Sequence, residues 1–63
     1  MEIKVGDTLQ IYFRNGNINN TILEVRAIVD NLYVVVKHPS GNYTLKDASY
    51  LELLHMQGIL TIQ

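Results

Sequence analysis

Hydrophobic and polar positions alternate with a period of two over most of this chain, the pattern of half-buried β-strands. The longest such stretch is Thr21 to His38, TILEVRAIVDNLYVVVKH. Asp30-Asn31 divides it into two apolar runs, and both residue types tolerate the positive φ that a tight hairpin turn requires. A two-residue turn there predicts Val29 opposite Leu32, Ala27 opposite Val34, Val25 opposite Val36 and Ile28 opposite Tyr33. It also sets Glu24 opposite Lys37 as an ion pair across the ladder. This register collects Leu23, Val25, Ala27, Val29, Leu32, Val34 and Val36 on one face. The other face receives Ile22, Glu24, Arg26, Ile28, Tyr33, Val35 and Lys37.

Met1 to Val5 forms a short lead-in, and Gly6-Asp7 a turn before the first clear strand. Thr8 to Arg14 places Leu9, Ile11 and Phe13 on one side and Thr8, Gln10, Tyr12 and Arg14 on the other. Asn15-Gly16 is a strong hairpin signal. A two-residue turn there pairs Leu9 with Ile22, whereas the central hairpin needs Leu23 inward. Either a bulge between Asn19 and Ile22 shifts the alternation, or the loop runs from Asn15 to Asn20. Pro39-Ser40-Gly41-Asn42 is a dense turn signal, followed by a fourth strand, Tyr43 to Asp47, with Leu45 opposite Val36. Ser49-Tyr50-Leu51-Glu52 fits a capping box, with Ala48 placed to staple onto Leu53. Gly58 stands at the position of a left-handed C-cap. These signals predict a helix over Tyr50–Gln57. A last strand over Ile59–Gln63 turns Leu60 and Ile62 inward.

The order is four strands, a short helix and a fifth strand, with Val5-Gly6-Asp7 leading into the first. In this it resembles the SH3-like small barrels, which carry a short helical turn between their fourth and fifth strands. The resemblance implies a mainly β fold: a small five-stranded SH3-like barrel with a short helix between the fourth and fifth strands. It covers most of the chain as an order of elements. The length has room for one domain, residues 1–63. The chain departs from the peptide-binding SH3 domains in lacking their acidic first loop and paired tryptophan, so proline-groove activity is not implied. An OB-type barrel, with its helix between the third and fourth strands, fits less well.

At 63 residues and without cysteine, the chain can use neither disulfides nor thiolate metal sites for stability. Chains of this size bury a small share of their surface, so association with another copy is the expected supplement. His38 and His55 are the only histidines, and no third ligand stands at a metal-binding spacing; no metal or cofactor is expected. Five Lys/Arg against six Asp/Glu give a net charge of −1. That is not the basic footprint of a nucleic-acid binder, so nucleic acid is a disfavoured partner. Met1 to Asp7 has neither the basic nor the apolar region of a signal peptide, and no apolar run has the length of a membrane span. A cytoplasmic protein is expected. No serine or histidine stands in a nucleophile elbow, phosphate loop or zinc motif, and catalysis is not expected.

Candidate functional residues come from the outer face of the central hairpin. Ile28, Tyr33 and Val35 form an apolar cluster there beside Arg26, the composition of a contact surface. Its cover could be the protein's own helix or lead-in, a second copy or a foreign molecule. Tyr12, Tyr33 and Tyr43 offer flat bodies with polar tips for stacking or interface packing. Arg14 and Lys37 lie near them in sequence and could meet phosphate. Tyrosine is equally a common strand residue, and the loop residues Asn15, Asn17, Asn19, Asn20, Asn42, His38 and Ser40 are ordinary turn formers.

Three kinds of binder are therefore expected. The first is a stand-alone, self-associating protein that sequesters a small polar, nucleotide-like ligand at or near a subunit interface. Small viral or prophage-encoded sequestering proteins are similar to it in general look. The second is an SH3-like interaction module or inhibitor that binds a partner protein through Arg26, Ile28, Tyr33 and Val35. The third is a nucleic-acid-binding small barrel.

Overall fold

The structure, a computed structural model, describes residues 2–14 and 18–63, with the side chains of 13, 14 and 18–20 outside the description. Five strands and one helix follow in order: β1 (Thr8–Arg14), β2 (Ile18–Val29), β3 (Tyr33–Lys37), β4 (Tyr43–Asp47), α1 (Ala48–Met56) and β5 (Leu60–Ile62). The strands form one open antiparallel sheet in the order β4-β3-β2-β1-β5. The fold is thus mainly β with one short helix, in the element order the sequence predicts.

The first hairpin resolves the conflict between Leu9 and Leu23. Its ladder runs from Thr8↔Glu24 through Leu9↔Leu23 to Arg14↔Ile18, leaving three residues between the strand ends. Asn15-Gly16 lies outside the described residues. One residue more than a two-residue turn is enough to bring Leu23 inward. Neither the bulge at 19–22 nor the loop over 15–20 occurs, since β2 is continuous from Ile18.

In the central hairpin, Asp30 and Asn31 take up positive φ, 52° and 56°. The Leu32 amide donates to the Val29 carbonyl at 2.9 Å. The ladder nevertheless starts one residue later than predicted. Val29 pairs with Tyr33, Ile28 with Val34 and Ala27 with Val35, while Val25↔Val36 and Glu24↔Lys37 hold the expected register; the expected ion pair across the ladder is replaced by one between Glu24 and Arg26 at 3.1 Å. A bulge at Arg26 absorbs the difference. In the turn, the Leu32 amide bonds β2 while its carbonyl accepts from the Ala48 amide at 2.9 Å, so its acceptor is taken up by the start of α1 and not by the ladder. A one-residue shift exchanges the two faces of a strand. Ile28 therefore packs against the core, correcting its expected outward position. Val29 and Leu32, expected inside, are 44% and 61% exposed.

The same kind of shift affects β4. His38 donates its amide to the Asn42 carbonyl at 2.8 Å, and the ladder continues as Lys37↔Tyr43, Val36↔Thr44 and Val35↔Leu45. Leu45 thus shares a face with Val35 instead of Val36.

Ile3, Leu9, Ile11, Leu23, Val25, Val34, Val36, Ala48, Leu51, Leu54 and Leu60 form one buried cluster. Both α1 and the lead-in residue Ile3 belong to it, so helix and lead-in lie on the inner face of the sheet. The helix begins earlier than predicted. Asp47 is its N-cap, still extended at ψ 128° and without a side-chain cap bond. Ser49 is therefore inside the helix and forms no capping box. Ala48 is buried while Leu53 is exposed, so they do not form a staple. The strand runs straight into the helix because the Leu32 carbonyl already satisfies the first helical amide. At the other end, Gly58 has φ 74°. Its amide donates to His55 and that of Ile59 to Leu54, at 3.1 and 3.0 Å, the paired bonds of a Schellman ending.

Candidate functional site

Residues directly opposite one another on paired strands share a face, so the ladders define the outer surface row by row. Asp47, Tyr33 and Val29 form one row across β4, β3 and β2; Leu45, Val35 and Ala27 form the next. Tyr43, Lys37, Glu24 and Thr8 follow, and then Ile22 beside Gln10 on β1. The first two rows and Tyr43 make a continuous apolar patch. Within it Leu45 is 59%, Tyr43 56% and Tyr33 40% exposed, and Val35 and Ala27 are half-buried. Neither the helix nor the lead-in covers it, because both pack on the opposite face.

Tyr33, Val35, Lys37 and Tyr43, read from the sequence as site residues, thus come together on the outer face. Ile28 does not, since it points to the core. Arg26 occupies the bulge, exposed, with its guanidinium 3.1 Å from the Glu24 carboxylate. Tyr12 is on the outer face of β1 but pairs with Asn20, whereas Tyr33 pairs with Val29. Those partners stand nine residues apart on β2, about 30 Å at strand spacing. The tyrosines therefore do not form a single stacking platform. The backbone of Arg14 ends β1, and its side chain is outside the description.

Sequence reasoning missed Leu45, Val29 and Ala27. Alternation groups Tyr43 with Leu45 and Thr44 with Lys46, but cannot say which pair points inward. In β4 the polar pair does. Lys46 and Thr44 lie on the inner side, and the Thr44 hydroxyl is 2.7 Å from His38 Nε2.

Among the described residues, grooves lie on both sides of the sheet. One, of about 500 Å³, adjoins the patch on the outer side; Thr8, Ile22, Glu24, Lys37 and His38 line it with Gly6 and Pro39. Its lysine ammonium and threonine hydroxyl suit a small polar molecule, and its glutamate disfavours one that is purely anionic. The other, of about 310 Å³, lies between the lead-in and α1, lined by Glu2, Ile3, Glu52, His55, Met56 and Ile62. There His55 Nδ1 is 3.4 Å from the Glu2 carboxylate. Among the described residues, no group of three or more side chains could hold a metal ion and no polar or charged side chain is buried. No described helix is long and apolar enough to cross a membrane. Comparison with protein-family models, curated proteins and solved structures gives no match.

Proposed function

We propose that this chain is a non-catalytic, self-associating binding protein of the cytoplasm whose contact surface is the outer face of β2, β3 and β4. One observation carries this reading: an apolar patch of Val29, Tyr33, Val35, Tyr43 and Leu45 stands on a sheet face that the protein's own helix and lead-in leave open. A lone sheet face in water is ordinarily polar, and a contiguous exposed patch marks a contact. The tyrosines at its border are the residue type favoured where contacts contribute most. The element order and the sheet order β4-β3-β2-β1-β5 support an SH3-like barrel architecture, in which such an interaction module is at home.

A second reading, capture of a small polar and nucleotide-like ligand near the subunit contact, is favoured by the groove at Lys37 and His38. It continues directly into the patch through the Tyr43–Lys37 pair. Nucleic acid is poorly supported. Arg26 is engaged by Glu24, Lys46 lies on the inner side and Lys4 is in the lead-in, so these cations do not form a stripe with Lys37.

Affinity capture with the wild-type chain and with Leu45→Asp tests the contact surface, using far-UV circular dichroism to confirm that the variant is folded. Loss of bound species in the folded variant is expected; unchanged capture would remove the outer face from consideration. A thermal-shift screen against nucleotides tests the groove. Saturation at one hundred times the dissociation constant stabilises by about 2.7 kcal/mol, and Lys37→Ala should abolish the shift.

A further inference from the structure

We infer that the outer face is closed by a second copy of this chain, in a face-to-face dimer whose two-fold axis runs across the strands at the Leu45–Val35–Ala27 row. The inference rests on the reading of that face as the contact surface and names its occupant.

Area is the first argument. A stable interface takes about 800 Å² from each partner, nearly a fifth of this chain's 4398 Å². The backbone measures 36 × 26 × 17 Å, and the helix stacked behind the sheet accounts for the short dimension. Only a broad face offers an area of the required size. One broad face carries α1 and the lead-in. The other is the outer face of the sheet.

Charge selects the arrangement. The patch has Asp47 and Tyr33 at one end and Tyr43 and Lys37 at the other. Sheets packed face to face keep their strands within about 30° of alignment, which leaves two ways to place a two-fold axis. With the axis along the strands, Lys37 lies over Lys37 of the partner subunit, and like charges meet in the middle of the contact. With the axis across the strands, the end rows exchange. Lys37 then lies over the aromatic face of the partner's Tyr33, a favourable cation–π placement. The Tyr43 hydroxyl can donate to the carboxylate of the partner's Asp47, and Leu45, Val35 and Ala27 each meet their own copies. The second arrangement gives Lys37 and Asp47 suitable partners; Glu24, in the same row as Lys37, falls over the partner's Val29 and keeps Arg26 as its ion-pair partner at 3.1 Å, and the small Ala27 leaves room for the sheets to approach.

Sedimentation equilibrium over a range of concentrations reads the state directly. The wild type should pass from one to two chains of 7.2 kDa as concentration rises, and folded Leu45→Asp should remain at one. The chain has no cysteine, so a single introduced thiol reports the axis. Leu45→Cys should oxidise to a disulfide-linked dimer, whereas Ile22→Cys, exposed on the same face but outside the patch, should not. A wild type of single-chain mass at every concentration overturns the dimer; if folded Leu45→Asp then still loses affinity capture, the contact-surface reading survives without it. A dimer that persists in Leu45→Asp overturns both. A dimer in which Leu45→Cys cross-links only to Ala27→Cys overturns the axis.

Discussion

Replacing Ile28 and Val29, one at a time, by threonine tests the register on which the composition of the outer face depends. Both changes install the same β-branched residue, so strand propensity is nearly constant. Ile28 packs on the core opposite the fully buried Val34, while Val29 is 44% exposed beside Tyr33. Ile28→Thr removes two half-buried carbons, at about 0.8 kcal/mol each when fully buried, and turns a hydroxyl toward the core at a further cost of about 1 kcal/mol. The sum is roughly 2 kcal/mol. In a domain of this size that lowers the melting temperature by about 8–16 °C. Val29→Thr is isosteric on a hydrated face and should cost under about 0.5 kcal/mol, or some 3 °C. Thermal melts followed by circular dichroism, at protein concentrations low enough to exclude association, measure both. A two-residue turn without the Arg26 bulge predicts the reverse order. If Val29→Thr proves the more damaging change, the bulge and the outer face described above are wrong.

The helix ends give two further tests. Ser49 lies inside α1 and caps nothing, so Ser49→Ala should be neutral or stabilising by about 0.3–0.5 kcal/mol in denaturant titration; a loss near 1 kcal/mol would indicate a cap. Gly58 holds φ 74° with open space where a Cβ would stand. Gly58→Ala should therefore cost about 1–2 kcal/mol through backbone conformation alone, and an unchanged midpoint would contradict the left-handed ending.

Element order, the Asp30-Asn31 turn and the Gly58 ending were all legible in the sequence because each rests on local chemistry: alternation, tolerance of positive φ, and glycine after a helical run. The inward set Leu23, Val25, Val34 and Val36 was legible as well: Leu23 and Val25 precede the bulge, Val36 pairs with Val25, and Val34 follows the unbroken alternation of β3. What was hidden is non-local. Whether Leu32 belongs to the turn depends on the Ala48 amide sixteen residues away. Nothing in VRAIVDNLY marks Arg26 as the extra residue. Counting Leu32 as strand exchanges the faces of Ile28 and Val29. The apolar character of the outer face was read correctly, but its membership was not: Ile28 leaves it, and Val29, Ala27 and Leu45 join it. The capping box failed for a related reason, because a strand that continues directly into a helix already supplies an acceptor for the first amide.

Hydroxyl-radical footprinting of the unmodified chain, dilute and concentrated, tests most directly whether the outer face is left open by the protein itself and closed by another copy. In dilute solution Leu45, Tyr43 and Tyr33 should be oxidised readily while the buried Leu51 is spared. On concentration those three should become protected, with Leu53 on the exposed side of α1 unchanged. Protection of Leu45 equal to that of Leu51 at every dilution would show that the chain covers its own face, and would contradict the account.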